Sequence, residues 1–381
     1  MNRLRCSNRI AVLAILLGAL SSRAAEKAAL SDYFPPPESK GGWRSALPEN
    51  GEADAAALAK LGIDAAKLKE AWEYNAKAEG GTGLIVIRKG TIVGEWYQNA
   101  DRKSTFNIYS SSKAYTSLAF GLLLSDSDAG KLPNKKKLTL DTKVCNEEWL
   151  PESLPLSDPK KANITVRHLL NMASGIGSEA LPSEVEPFEI ALGKTEKSPF
   201  AMLKAEPGEK FNYSNAGVAH LVLLFNRVTG VDLFPFMKAR VFDPIGMESV
   251  TWNKIGGNGK LGPLSQGYSG VTTSPREHAR FCYLALHQGN WAGKQVVPAA
   301  HYEFAWASSP ANPSYGAQWW VFPRHKEAPK DMVQTAGANN NHGYVVPSLD
   351  LVFVRLGDGK KFPDKDFEQQ FVKKVLAAVT K

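Results

Sequence analysis

The sequence predicts an α+β fold in which the two ends of the chain build one sheet and a mostly helical region is inserted between them. Three observations carry this. LIVIR, a turn at Lys89 and Gly90, and TIVGEWY read as a hairpin toward the N-terminal end. Gly343 to Val346, the turn PSLD, and Leu351 to Leu356 read as a second hairpin toward the other end. The long interior between them reads as helices and loops.

The elements follow in chain order. Arg3, Arg5 and Arg9 precede an apolar run from Ile10 to Leu20, and the small residues Ser21, Ser22, Ala24 and Ala25 follow it. This is the pattern of a secretory signal peptide over 1–24, cleaved near Ala24 or Ala25. The run is far shorter than the roughly 20 residues that span a bilayer, so no stable membrane span is expected after cleavage. The mature chain is expected in a periplasm or outside the cell. Residues 25–60 read as an extended arm, rich in Pro, Gly and Ser from Ser31 to Glu49, whose Tyr33, Phe34 and Trp43 let it lie on the body. A helix starts at Asp64, an N-cap residue, and ends by Gly80. After the second hairpin, Phe367, Phe371, Val375 and Val379 give a helix from about Asp366 to Val379 one apolar face. The expected organisation is one domain over 61–381, with an α/β lobe from about 61–109 and 331–381 and a helical lobe over about 110–330. A cleft between lobes is the natural binding site.

The 381 residues carry a net charge of +8. Four arginines and no acid lie in the first twenty-four residues, so the remainder holds 42 basic against 38 acidic residues, a net +4. Lys135 to Lys137 lack interleaved aromatics and read as a solvated loop, so no nucleic-acid partner is expected. Beyond the signal only Cys145 and Cys282 remain. One disulfide is permitted in an oxidising compartment, but two separate buried thiols are the plainer reading.

No GxSxG, GxxxxGK, HExxH or CxxC pattern occurs, which removes most metal, P-loop and α/β-hydrolase readings. His278, His287, His301 and His325 show no metal-ligand spacing, and no metal or organic cofactor is expected. His168 and His220 read as packed or backbone-bonded residues. What remains is SSSK, Ser110 to Lys113, at the start of a helical stretch. Spacing of i, i+3 puts the Ser110 hydroxyl and the Lys113 amine one turn apart on one face. A serine needs a base, and a lysine becomes one only where burial or nearby positive charge depresses its pKa. The second element is Tyr213, Ser214 and Asn215, ahead of another helix. A phenol beside an amine passes protons and an amide orients a carbonyl, which suits acyl transfer. The same triplet also fits a helix cap in which Ser214 or Asn215 satisfies backbone donors.

Taken together, SSSK and YSN in this order resemble the serine β-lactamase and penicillin-binding-protein superfamily, especially its class C and esterase-like branch. ITVRHLLNMASGI from Ile164, FDPIGMESVTW from Phe242, the segment from Thr272, YGAQWW near Tyr315 and VVPSLDLVFVRLG add to the likeness, which covers roughly Gly83 to Leu356. The resemblance implies an antiparallel sheet flanked by helices beside an inserted all-helical lobe. It implies Ser110 as the acyl-forming nucleophile, Lys113 as its proton partner, Tyr213 as general base or relay, and Asn215 as a substrate-orienting residue.

The family's third element is a KTG-like triad on the sheet edge, which falls here on Thr335, Ala336 and Gly337. Thr335 stands where the antibiotic-hydrolysing members carry Lys, so the charge that holds a β-lactam or peptide carboxylate is missing. Gly337 permits close backbone approach, and the Ala338 N–H is placed to complete an oxyanion hole with that of Ser110. In the following ANNNHG, Asn340 and His342 either line a polar acyl-side pocket or form an ordinary turn. Of Trp319 and Trp320, at most one walls the cleft, because alternate strand residues face opposite ways. The expected activity is hydrolysis of a small-molecule ester, amide or peptide-like substrate. A β-lactamase or D,D-carboxypeptidase, and a non-catalytic envelope binding protein on the same fold, are the alternatives.

Overall fold

The computed structural model describes residues 30–48, 54–182 and 184–380; the expected signal peptide over 1–24 lies outside them. Five helices and six strands frame the molecule: α1 (Ala65–Asn75), β1 (Thr82–Arg88), β2 (Thr91–Gln98), α2 (Ser112–Asp128), α3 (Asn215–Thr229), α4 (Pro275–Leu286), β3 (Trp320–Val321), β4 (Val333–Gly337), β5 (Asn341–Val346), β6 (Leu351–Gly357) and α5 (Phe367–Ala377). The strands form one sheet in the order β3-β4-β5-β6-β1-β2. Each neighbouring pair is antiparallel, with Thr82 opposite Gly357 and Arg88 opposite Leu351 where the two ends of the chain meet. Both hairpins and the joint sheet are thus as the sequence predicts.

Side chains alternate across the sheet, and both faces are covered. Leu84, Val86, Tyr344 and Phe353 pack with Leu68 of α1 and Phe371 and Val375 of α5. Ile85, Ile87, Val352 and Val354 belong to the larger core with α2, α3 and α4. Asp64 caps α1, accepting from the amides of Ala66 and Lys67. The expected apolar face of α5 is buried at Phe367, Phe371 and Val375.

Two expectations need correction. The stretch 110–330 is not one helical unit: α4 packs on β5, β6 and β1, and β3 joins the sheet beside β4. All of α4 is buried, charged residues included, so it needs the sheet on one side and other protein on the rest. The arm over 25–60 is extended only in part. Residues 55–60 form a helix capped by Asp54, because Leu58 has a place in the core beneath the sheet.

The arm does lie on the body, along α4. Arg276, Arg280 and Tyr283 follow at i, i+4 and i+7. The Tyr283 hydroxyl donates to the Tyr33 carbonyl at 2.8 Å, and Arg280 Nη1 donates to the Pro35 carbonyl at 3.0 Å. Phe34 packs against Tyr283 and His287. Arg276 reaches Glu38 of the arm at 2.8 Å and holds Glu95 of β2 through Nε and Nη2 at 2.8 and 2.7 Å. Cys145 and Cys282 are separate, free and buried. Among the described residues no single helix is long and apolar enough to cross a membrane.

The fork on Glu95 leads to a test of stability. The Glu95 side chain is 2% exposed, and Arg276→Ala leaves its carboxylate only Arg102 at 3.2 Å and the Tyr97 hydroxyl at 2.8 Å, so the variant should cost about 2 kcal/mol in urea unfolding. A loss below about 1 kcal/mol, the size of an exposed pair, would show that the fork does not anchor arm, helix and sheet.

Candidate active site

The turn before α2 is held by backbone and side chains together. Asn107 Oδ1 accepts from the Tyr109 amide at 2.8 Å, and Tyr109 takes a left-handed φ of 47°. The three serines that follow have different partners. Ser112 Oγ accepts from the Val271 amide at 3.1 Å, and Ser111 Oγ donates to the Asn341 carbonyl at 2.6 Å. Both are buried, while Ser110 is half-buried and turns toward Lys113. The sequence pattern SSSK therefore resolves into two structural hydroxyls and one available one.

Lys113 is 1% exposed. Its Nζ lies 3.0 Å from Ser110 Oγ, 2.8 Å from Asn215 Oδ1 and 2.8 Å from the Tyr268 carbonyl oxygen. Burial pushes its pKa down to about 7, and among the described residues no acid offsets that burial. A neutral amine has two N–H donors and one lone pair. The amide oxygen of Asn215 and the carbonyl of Tyr268 can only accept, so they take both donors. The lone pair is left facing the Ser110 hydroxyl, which then donates to it. A neutral amine so placed is suited to take a proton from the serine oxygen.

The Tyr213 ring lies 4.8 Å from Lys113 Nζ. Burial pushes the phenol up to about 12, against smaller opposing effects of hydrogen bonding with Ser110 and the charge of Arg324. Tyr213 is thus a protonated phenol, able to give a proton and recover it. It stacks on Trp320 at 6.1 Å and meets the Tyr315 ring edge-on at 6.1 Å. Trp319 is buried against Phe281, so one tryptophan of the pair reaches the site. The residues of YSN divide between a helix cap and a contact with Lys113. Ser214 caps α3, accepting from the Gly217 amide, while Asn215 turns to Lys113.

Tyr268 is the contributor that sequence reasoning misses, because it acts through its carbonyl. The signal is indirect: Gly267 and Gly270, both at positive φ, bracket a tight loop. Three residues of α2 bind that loop: Ser112 at Val271, Lys113 at Tyr268, and Thr116, whose hydroxyl donates to the Gly267 carbonyl at 2.8 Å.

The third element closes the other side. A Cβ on Gly337 would stand 2.1 Å from the Ile108 carbonyl oxygen, so β4 presses its backbone against the Ser110 turn. Ala338 follows, exposed, and Asn341 Nδ2 donates to its carbonyl at 2.8 Å. Asn339 Nδ2 reaches the Tyr109 hydroxyl at 3.5 Å. Thr335 is buried; its hydroxyl accepts from the Gly343 amide at 3.1 Å and lies 3.0 Å from His278 Nε2, and His278 Nδ1 lies 2.9 Å from the Tyr115 hydroxyl. Burial pushes His278 down to about 3. The position read as the family's lysine is thus filled by a neutral chain.

Asn340 and His342 do not line this site. His342 and Tyr344 face α5 while Gly343 faces α4, as strand alternation requires. Asn340 lines a separate cavity with Phe362, Asp364 and Glu368. His168 sits in a capping box with Thr165, and His220 bonds the Ala216 carbonyl, both as expected.

Because Gly337 has no room for a side chain, Gly337→Ala should separate β4 from the Ser110 turn. Hydrolytic turnover should fall by about 10²-fold, the scale of one misplaced backbone donor. Unchanged turnover would show that this approach does not matter.

Comparison with known proteins agrees with the motif order. The family model described as Beta-lactamase matches residues 65–377. Protein flp of Staphylococcus aureus (strain MW2) is 24% identical over 214 residues, 51% of this chain and 40% of its own length, so the match spans less than half of that relative. Among solved structures, a Bacillus anthracis protein described as a 6-aminohexanoate-dimer hydrolase is similar with a TM-score of 0.66 and 18% identity, covering 90% of this chain and 88% of that one. A family VIII carboxylesterase is similar with a TM-score of 0.61 and 16% identity, covering 82% and 97%. At these identities the two structures speak for the fold, while the match over residues 65–377 makes the chain a member of the Beta-lactamase family.

Proposed function

We propose that this member of the family is a serine hydrolase that cleaves an ester or amide through an acyl group on Ser110. The single observation that carries the reading is the buried Lys113 Nζ, 2.8 Å from Asn215 Oδ1, 2.8 Å from the Tyr268 carbonyl oxygen and 3.0 Å from Ser110 Oγ, so that in the neutral amine the two acceptors take both donors and the lone pair is left for Ser110. Ser110 Oγ attacks the substrate carbonyl carbon and its proton passes to Lys113 Nζ. The amides of Ser110 and Ala338 receive the negative oxygen. As the tetrahedral adduct collapses, the Tyr213 phenol protonates the leaving alcohol or amine and is reprotonated from Lys113. Water then attacks the acyl carbon, giving one proton back along the same route. Ser110 is restored and the acid is released, so the sum is substrate plus water.

Thr335 bears on the substrate. With a neutral hydroxyl–imidazole–phenol chain behind β4, no cation stands at the position where the resemblance places the carboxylate-binding lysine. The neighbour described as a family VIII carboxylesterase supports simple esters as the first substrates to try. Export of the mature chain remains part of the proposal, on the pattern over 1–24; N-terminal sequencing of protein from the extracytoplasmic fraction should find a start near residue 25.

Ser110→Ala should abolish hydrolysis of short-chain nitrophenyl esters and labelling by a serine-directed phosphonate while leaving the unfolding transition in place. Retained turnover in a pure sample would refute the assignment. Lys113→Ala and Tyr213→Phe should each cost about 10³-fold or more in kcat, since the three act as a unit. Nitrocefin should be turned over far more slowly than the esters, and the reverse preference would favour a β-lactamase.

The pH profile has a definite sign. Lys113 must be neutral to accept the proton, and its pKa lies at about 7. Acylation kcat/KM should therefore rise about tenfold per pH unit below 7 and level above it. A profile flat from pH 5 to 9 would exclude Lys113 as the base.

A further inference from the structure

His342, displaced from the pocket wall, has a second position of interest. Its Nε2 lies 3.2 Å from the Gly337 carbonyl oxygen. A carbonyl only accepts, so that nitrogen carries a proton and donates. Gly337 C=O and Ala338 N–H belong to one planar trans peptide, in which oxygen and hydrogen point in opposite directions. Holding the oxygen toward α5 therefore aims the Ala338 N–H the other way, toward the Ser110 turn against which Gly337 is pressed.

The imidazole is itself held. Its Nδ1 lies 2.8 Å from the Tyr344 hydroxyl and 3.3 Å from Glu368 Oε1 of α5. Glu368 is gripped further by Arg324 Nη2 at 2.9 Å, Gln334 Nε2 at 2.7 Å and His325 Nε2 at 3.4 Å. Arg355, opposite His342 on β6, donates to the carbonyls of Asn339 and Asn340 at 2.8 and 3.2 Å. Three carbonyls of the turn after β4 are thus held from behind by side chains outside the cleft.

We propose that His342, fixed by Glu368, is a positioning residue that orients and polarises the Gly337–Ala338 peptide as an oxyanion donor. The proposal rests on the Ser110 acyl reading and deepens it. A hydrogen bond on the carbonyl draws electron density through the peptide and leaves its N–H a stronger donor. The effect falls where charge develops, so it acts on kcat more than on KM.

The test compares His342→Leu, which removes the donor, with His342→Gln, which keeps an N–H donor, and with Glu368→Gln. The readouts are single-turnover acylation by a nitrophenyl ester, the kcat and KM of turnover, and the isotope-edited infrared band of the acyl carbonyl on Ser110. His342→Leu should slow acylation about tenfold, a typical worth for one hydrogen bond, with KM within about twofold and the carbonyl band moved to higher frequency. His342→Gln should recover most of the rate and the band position. Glu368→Gln should shift both in the same direction by less. A folded leucine variant with the wild-type band, or with unchanged acylation, overturns the proposal. If that variant does not fold, Glu368→Gln decides alone, and an unmoved band overturns it. Acylation of the wild type that persists in Ser110→Ala would instead defeat the parent reading, and this inference with it.

Discussion

A lysine amine enclosed by protein governs this molecule. Keeping a proton on Lys113 costs about 5 kcal/mol relative to water, as its fall to about 7 implies. The enclosure is specific: an amide oxygen from α3 and a carbonyl from the 265–271 loop meet the amine from two sides, and the Ser110 hydroxyl meets it from the third. None of these neighbours carries charge. An aspartate in the place of Asn215 would stabilise the ammonium and end its use as a base. The choice of neutral acceptors matters as much as the burial.

Holding three segments on one nitrogen demands a rigid frame, and the frame is built around α2. Its N-terminal residues Ser112, Lys113 and Thr116 bind the 265–271 loop, and Ser111 just before it binds β5. Helix α4 lies behind, buried on every side, and carries its charged residues only because each finds partners. Arg276 and Arg280 are spent on the arm and on Glu95. His278 is spent on Tyr115 and Thr335. The arm, remote from Ser110, thus reaches the site's supporting helix through two arginines.

The two faces of the sheet have different electrostatic characters near the site. Toward α4 the chain from Tyr115 through His278 to Thr335 is neutral. Toward α5 the buried Glu368 carboxylate lies beside the Arg324 guanidinium and within reach of His325 and His342, and although burial opposes its charge, these neighbours prevail and hold it well below the usual carboxylate range. The turn after β4 lies between these two environments. Gly337 is pressed against the Ser110 turn, Asn339 Nδ2 reaches the Tyr109 hydroxyl, and the carbonyls of Gly337 and Asn339 are bound from the α5 side. Asn339 and Asn340 make this sharp reversal possible, since both adopt a left-handed backbone that asparagine tolerates better than most residues.

How much was legible in the chain differs between fold and site. The hairpins, the cap at Asp64 and the apolar stripe of α5 follow from local periodicity, and pairing of the chain ends follows from there being nothing else for their faces to cover. Ser110 and Lys113 share a face because i, i+3 spacing on a helix is a local rule. The placing of α4 and β3 with the sheet was not legible, because burial on all sides leaves no polar stripe to read. Which serine of SSSK is free, that Tyr268 contributes a carbonyl, and that His342 turns from the cleft were not legible either. The sequence by itself determined which functional groups this protein owns and how near neighbours along the chain are disposed, since helix and strand geometry act over a few residues. Tertiary structure alone decided which groups meet across a hundred residues or more and whether a lysine is charged, because contact and desolvation are properties of the packed whole.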